Sequence, residues 1–162
     1  MRPIELLSIR IDVPANAPLL LMRETTGDQR LLPIYIGSAE AAAIHTAIEG
    51  ISVPRPLTHD LFVTVVGELG ASLDRVVISR IVDHTFFADL HLSLLSGKMI
   101  TVSARPSDAV ALAVRVGAPL FASKAVLDEA GQLPAPSPED EAAEIIDEFK
   151  NFIDQISPED FV

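Results

Sequence analysis

The order of hydrophobic patterns along the chain predicts an α+β domain. It should be a mixed, largely antiparallel β-sheet packed with helices, followed by a C-terminal amphipathic helix. Three observations carry that expectation. Strand-like runs come in adjacent groups, with two helical runs between the groups and further helical runs after them. Few strand–helix–strand units of the kind that build a doubly wound parallel sheet are present. No Gly-x-Gly-x-x-Gly or Walker-type loop occurs, so nucleotide-binding parallel folds and organic cofactors have no support.

Each element has its own signals. Ile4 to Val13 is rich in Leu and β-branched residues and reads as a strand. Pro18 to Arg23 and Arg30 to Ile36 form a hairpin around the turn residues Thr25-Thr26-Gly27-Asp28. Ser38 is placed to cap a helix over Ala39 to Glu49, which Gly50 ends. Pro54 and Pro56 interrupt the next segment, and Thr58 is placed to cap a second helix ending near Gly70. The core face of that helix is expected to be Phe62, Val65, Val66 and Leu69.

Two strands, Ser72 to Ile81 and Phe86 to Leu95, flank the turn Asp83-His84-Thr85. Phe86, Ala88, Leu90, Leu92 and Leu94 alternate with Asp89, His91 and Ser93, so the second strand has one wet face. Ser96-Gly97-Lys98 turns into a strand from Met99 to Ser103. Arg105-Pro106-Ser107-Asp108 then opens a helix ending at Gly117 that is apolar almost all round. Such a helix belongs inside the molecule. A short strand, Pro119 to Ala122, and a short helix, Ser123 to Ala130, complete a domain expected to span residues 1–130. Residues 131–162 read as a Pro-rich linker and an acidic helix with the stripe Ala142, Ile145, Ile146, Phe149, Phe152, Ile153 and Ile156.

Composition bounds the function. With 162 residues, 49% of them apolar, the chain fits one domain with a sizeable core and is not a disordered one. It has no Cys, which excludes disulfides, thiolate metal sites and Cys nucleophiles. It has no Trp and one Tyr, which argues against a broad base-stacking platform. No signal peptide or membrane span is evident, so a cytoplasmic protein without membrane partners is expected. The formal charge of −11 belongs to the end of the chain. Met1 to Leu127 holds 12 acids and 11 bases, whereas Asp128 to Val162 holds 11 acids and one base. The body is therefore nearly neutral, and composition does not forbid a phosphate substrate.

Three places put polar groups where a purely structural protein has little need of them. Glu40 lies in line with Ile44 and Ala47 on an Ala-rich helix, either as a first-turn acid favoured by the helix dipole or as a pocket carboxylate. In Arg55-Pro56-Leu57-Thr58-His59-Asp60, Arg55 can bind phosphate, His59 can move a proton and Asp60 sits among free helix N–H groups. The bland reading is that Thr58 caps, Asp60 favours the dipole and Arg55 is surface. In Arg105-Pro106-Ser107-Asp108, Ser107 or Asp108 either caps the helix or, with Arg105, forms a buried ion pair or site wall. His45, His84 and His91 form no paired ligand motif, so a histidine zinc site has little support. A carboxylate site for Mg²⁺ or Mn²⁺ using Asp60, Glu40 and Asp108 is the alternative.

Together these runs resemble a known family. Leu32-Pro33-Ile34-Tyr35-Ile36-Gly37, Glu40-Ala41 with Ile44, Arg55 to Leu61, Ala104 to Ala113 and Gly117 to Leu120 look like the bifunctional nuclease family. The resemblance covers roughly Ile4 to Leu127 and departs at Asp83-His84, where Asp-Gly is expected. It implies an α+β domain, often a homodimer, that hydrolyses DNA and RNA with little sequence preference. Matched positions are Glu40, Arg55, Thr58, His59, Asp60, Arg105, Ser107 and Asp108. The expected roles are His59, Asp60, Asp108 and Glu40 as catalytic groups, with Arg55, Thr58, Arg105 and Ser107 binding substrate. Asp60, Glu40 and Asp108 are also the expected metal ligands. The competing expectation is a non-catalytic homodimeric binding or regulatory domain whose Arg and Asp motifs are structural. The acidic helix is expected to dock on its own dimer or on another protein.

Overall fold

A computed structural model describes residues 1–135 of the chain. Eleven elements follow one another in these residues: β1 (Arg2–Asp12), β2 (Ala17–Glu24), β3 (Leu31–Tyr35), α1 (Ser38–Ile48), α2 (Thr58–Glu68), β4 (Ala71–Val82), β5 (Thr85–Leu94), β6 (Met99–Ala104), α3 (Pro106–Val116), β7 (Leu120–Ala122) and α4 (Lys124–Ala130). The expected acidic helix after Ser137 lies outside the described residues. Among the described residues no helix is long and apolar enough to cross a membrane.

The seven strands form one sheet in the order β3-β2-β1-β7-β4-β5-β6. Two three-stranded antiparallel meanders, β1-β2-β3 and β4-β5-β6, stand side by side. The three-residue strand β7 joins them, antiparallel to β1 and parallel to β4. The sheet is thus mixed but largely antiparallel, as the grouping of strands implies.

Alternation decides which face is dry. Leu20, Met22, Leu32, Ile34, Val76, Ile78, Ala88 and Leu90 form one buried cluster with Ile44 of α1, Val110 of α3 and Leu127 of α4. The apolar helix α3 is the centre of that layer: Pro106, Ser107 and Ala109 through Ala113 are all buried. Pro106 occupies its first turn, and Gly117 ends it at φ 68°, a left-handed value that Gly adopts without a Cβ clash.

The turn between β4 and β5 shows what the unusual Asp83-His84 pair does. Both residues have positive φ, 48° and 60°. Two consecutive positive values match the right-handed twist of a two-residue hairpin, and they favour Gly at the second position. His84 fills that position without being Gly.

Three sequence expectations need correction. Ser38 and Thr58 are not caps; Gly37 and Leu57 hold those positions, and each helix begins one residue earlier than a cap at the hydroxyl residue requires. Neither Ser107 nor Asp108 caps α3, because the extended residue before Pro106, Arg105, does so. On α2, Phe62, Val65 and Leu69 are exposed, and the half-buried residues are His59, Asp60, Val63 and Val66. The helix is turned by its polar partners on α3, described below, rather than by its widest apolar stripe.

A buried ion network ties the first meander to α4. Glu24 is 1% exposed, and Arg30 reaches it from the β2–β3 turn at 3.0 Å and 3.4 Å. Arg30 also binds Asp128 on α4 at 2.9 Å. The hydrogen bonds from Arg30 hold the Glu24 carboxyl below its ordinary range against the opposing effect of burial. Arg30→Ala removes both of its hydrogen bonds to that carboxylate, leaving Arg2 at 3.6 Å as its cation, and should cost about 1.5–3 kcal/mol in urea unfolding. Because the folded pKa is depressed, the stabilisation is complete above the unfolded value of about 4.3 and is lost as pH falls through the folded value. A Glu24→Gln chain should therefore lose part of the acid-side slope of stability against pH.

Candidate functional site

The first turn of α3 carries the central charge. The residue before a proline is driven to extended backbone, and Arg105 has φ −73° and ψ 146°. Its guanidinium folds back on the helix it caps: Nε donates to Asp108 Oδ2 at 2.8 Å and Nη2 to Oδ1 at 3.1 Å. Nη1 donates to Glu40 Oε1 on α1 at 2.8 Å. One exposed guanidinium therefore bridges the starts of two helices. The bonds to Asp108, and then to Glu40, raise its pKa further above the ordinary arginine range. At Asp108, burial disfavours ionisation, but the bonds from Arg105 and His59 outweigh it and hold the carboxyl below its ordinary value.

Gly37 makes room for this bridge. A Cβ there would overlap the Glu40 carboxylate, so the absence of a side chain lets Glu40 fold back over the start of its own helix. On the other side, α2 presents His59, whose Nε2 lies 3.3 Å from Asp108 Oδ1. An ionised carboxylate offers only acceptors, so this contact places the proton on Nε2 and leaves Nδ1 of a neutral ring free to accept one.

Glu40, Thr58, His59, Arg105 and Asp108 line an open cleft of about 530 Å³ floored by Ala39, Ala43 and Leu57. Glu40 and Arg105 are also one wall of a second cleft, of about 420 Å³, that runs toward β3 and the β4–β5 turn. Ser107, buried at 6% exposure, lines this second cleft and not the first.

Asp60 and Arg55 do not join the group. Asp60 Oδ1 accepts from Arg115 Nε at 2.6 Å, and Oδ2 accepts from the Leu57 backbone N–H at 2.8 Å. Arg115 is 8% exposed and also donates to the carbonyls of Ala111, at 2.8 Å, and Ala43, at 3.1 Å. This arginine thus ties α1, α2 and α3 together, and Asp60 is its counter-ion. The Arg115 bond, more than the backbone one, keeps the Asp60 carboxyl below its ordinary range. Arg55 is exposed and lies outside both clefts.

The expected metal set is accordingly split. Asp60 is spent on Arg115, while Glu40 and Asp108 share Arg105. Among the described residues no group of three or more His, Asp or Glu side chains is placed to hold a metal ion. Glu40 and Asp108 both hold Arg105, so a Mg²⁺ bound through one or two carboxylates together with a substrate phosphate would have to share them with that guanidinium.

Four residues of these sites escaped sequence reasoning. Arg115 was visible as the interruption in an otherwise apolar helix, and a lone cation on a buried helix calls for a buried acid. Gly37 stands three residues before the pocket carboxylate. Tyr35 and His84 line the second cleft. His84 carried one signal, a non-Gly residue where the hairpin favours Gly.

Comparison with known proteins agrees with the resemblance. The family model described as the bifunctional nuclease domain matches residues 20–135. An uncharacterized protein of Mycobacterium tuberculosis is 45% identical over 166 aligned positions, 99% of this chain and 98% of that protein. Bifunctional nuclease 2 of Arabidopsis thaliana is 31% identical across 68% of this chain and 34% of that protein. Bifunctional nuclease 1 of Oryza sativa subsp. japonica is 25% identical across 74% and 36%. The family match runs from Leu20 within β2 through α4 and includes every residue of the two clefts, and on that ground the chain belongs to the bifunctional nuclease domain family.

Proposed function

We propose that the cleft between α1, α2 and the start of α3 hydrolyses phosphodiester bonds in DNA and RNA. The observation that carries this reading is the Asp108–His59 pair beside an exposed arginine at the mouth of an open cleft. Asp108 orients the imidazole, and His59 Nδ1 takes a proton from water. The water oxygen bonds to phosphorus, the bond from phosphorus to one sugar oxygen breaks, and His59 returns its proton to the departing alkoxide. Charge develops on the phosphoryl oxygens. Arg105 has five N–H donors and its three bonds to Glu40 and Asp108 use three, so two remain for the phosphate. The Thr58 hydroxyl lines the same cleft and is a further donor. Glu40 sets the position of Arg105. A Mg²⁺ or Mn²⁺ ion held by Glu40 and Asp108 would supply Lewis-acid polarisation of the phosphoryl oxygen.

The competing reading, a binding domain with structural ion pairs, suits Asp60 and Arg115, which are paired away from both clefts. It does not suit Arg105, which is 65% exposed and borders solvent-filled space on two sides. The two arginines of α3 thus divide the two readings between them.

The test uses purified protein with Mg²⁺ or Mn²⁺ on single-stranded DNA and RNA. His59→Ala should lower kcat by about 10²–10⁴-fold, and Arg105→Ala by about 10²–10³-fold. Cleavage by His59→Ala at the wild-type rate would refute the assignment. Asp60→Ala should behave differently: it strands the Arg115 cation and should cost about 3 kcal/mol of stability. Below its melting temperature that variant should still cleave within about threefold of wild type, a small ratio because the lost contact is not to the transition state.

A further inference from the structure

We propose that the second cleft is a nucleotide subsite, and that it commits the enzyme to single strands. It would hold the base and sugar next to the phosphate at Arg105, with His84 and Tyr35 as the contact residues. The inference rests on the nuclease reading of the first cleft and names its substrate class.

Arg105 and Glu40 separate two clefts of about 530 and 420 Å³. A phosphodiester is flanked by a nucleoside on each side, so a phosphate held on this ridge sends one neighbour toward each cleft. The second cleft lies within the range of about 300–1,000 Å³ usual for small-molecule sites. Its lining is also of that kind, with Ile34, Phe86 and Pro106 as apolar walls and Tyr35, His84 and Ser107 as the polar groups. Tyr35 is 60% exposed and its hydroxyl is bonded to Asp12, which fixes the ring at the rim where a base can stack.

His84 supplies the second, independent observation. Its φ of 60° falls at the hairpin position that Gly fills best. Residues held in such conformations cluster at ligand-binding positions, where the fold over-determines them. Gly at residue 84 would fit this turn better and would leave the cleft without its imidazole.

The two clefts also select the strand type. In a duplex the bases are stacked and paired inside the helix, and a base can enter a pocket only after it is unstacked and unpaired. A single strand has neither restraint, so both nucleosides can settle on either side of Arg105.

The test is binding without turnover. A fluorescent single-stranded deoxythymidine oligonucleotide is titrated with the full chain in EDTA, beside a duplex of equal length, and unfolding is followed by heat. His84→Gly should raise the melting temperature and weaken single-strand binding by about tenfold, in line with the loss of one base contact. His84→Asn keeps a residue that tolerates the left-handed backbone and should show the same loss of binding. Single strands should bind more tightly than duplex. Wild-type affinity in both variants, or equal affinity for duplex and single strand, or no binding by the wild-type chain, would overturn the subsite. Variant-sensitive binding by a chain that cleaves nothing would uphold the subsite and refute the nuclease reading alone.

Discussion

The burial of α3 is the constraint on which the rest of the structure depends. Five consecutive residues, Ala109 through Ala113, are buried, so the helix needs cover on every side. The sheet provides one wall through β4 and β5, and α1 and α2 provide the others. The small side chains of α3 and of the Ala-rich helix α1 let these two helices lie close together. Once three helices must enclose one axis, the polar residues at their ends are brought within reach of one another. Glu40, His59, Arg105 and Asp108 come from three helices, and they meet because α3 is hidden.

Charge is handled in two ways on the same helix. Arg115 faces inward and is neutralised by Asp60 and by two backbone carbonyls, which makes it a clasp between helices. Arg105 faces outward and is neutralised by two carboxylates, yet it keeps two free donors on the solvent side. Removing water from the first arginine is costly, and the fold tolerates it only while its partner is present. Leaving the second in contact with solvent lets a phosphate compete for it. In the proposed reading, the difference between structure and chemistry is the direction in which a guanidinium points, not its residue type.

The body of the chain is close to neutral, and the excess of acid falls after Leu127. A nearly neutral body has no broad field to attract nucleic acid from a distance. Affinity in the proposed reading must come from local contacts, namely the donors of Arg105 and the walls of the two clefts. Such contacts act at short range, consistent with a site that discriminates by strand geometry more than by charge.

How much was legible in the sequence follows from what each signal measures. Alternation and turn residues report local conformation, so the two meanders, the buried α3 and the Asp83-His84 turn could be read from residues a few positions apart. Glu40, His59, Arg105 and Asp108 stood out because each is a polar group at a helix start beside an apolar run. Asp60 stood out for the same reason and belongs elsewhere, since nothing local distinguishes a carboxylate that faces a cleft from one that faces Arg115. The apolar stripe of α2 misled in the same way. Phe62, Val65 and Leu69 form the wider stripe, but the bonds of His59 and Asp60 to α3 set the rotation of the helix. By itself the sequence determined which segments are strands and helices, which helix is hidden and which residues are candidates. Only the tertiary structure decided the partners, because Glu40 and Arg105 are 65 residues apart and His59 and Asp108 are 49 apart. Contacts over such separations depend on how three helices pack about one buried axis, and no local pattern encodes that packing.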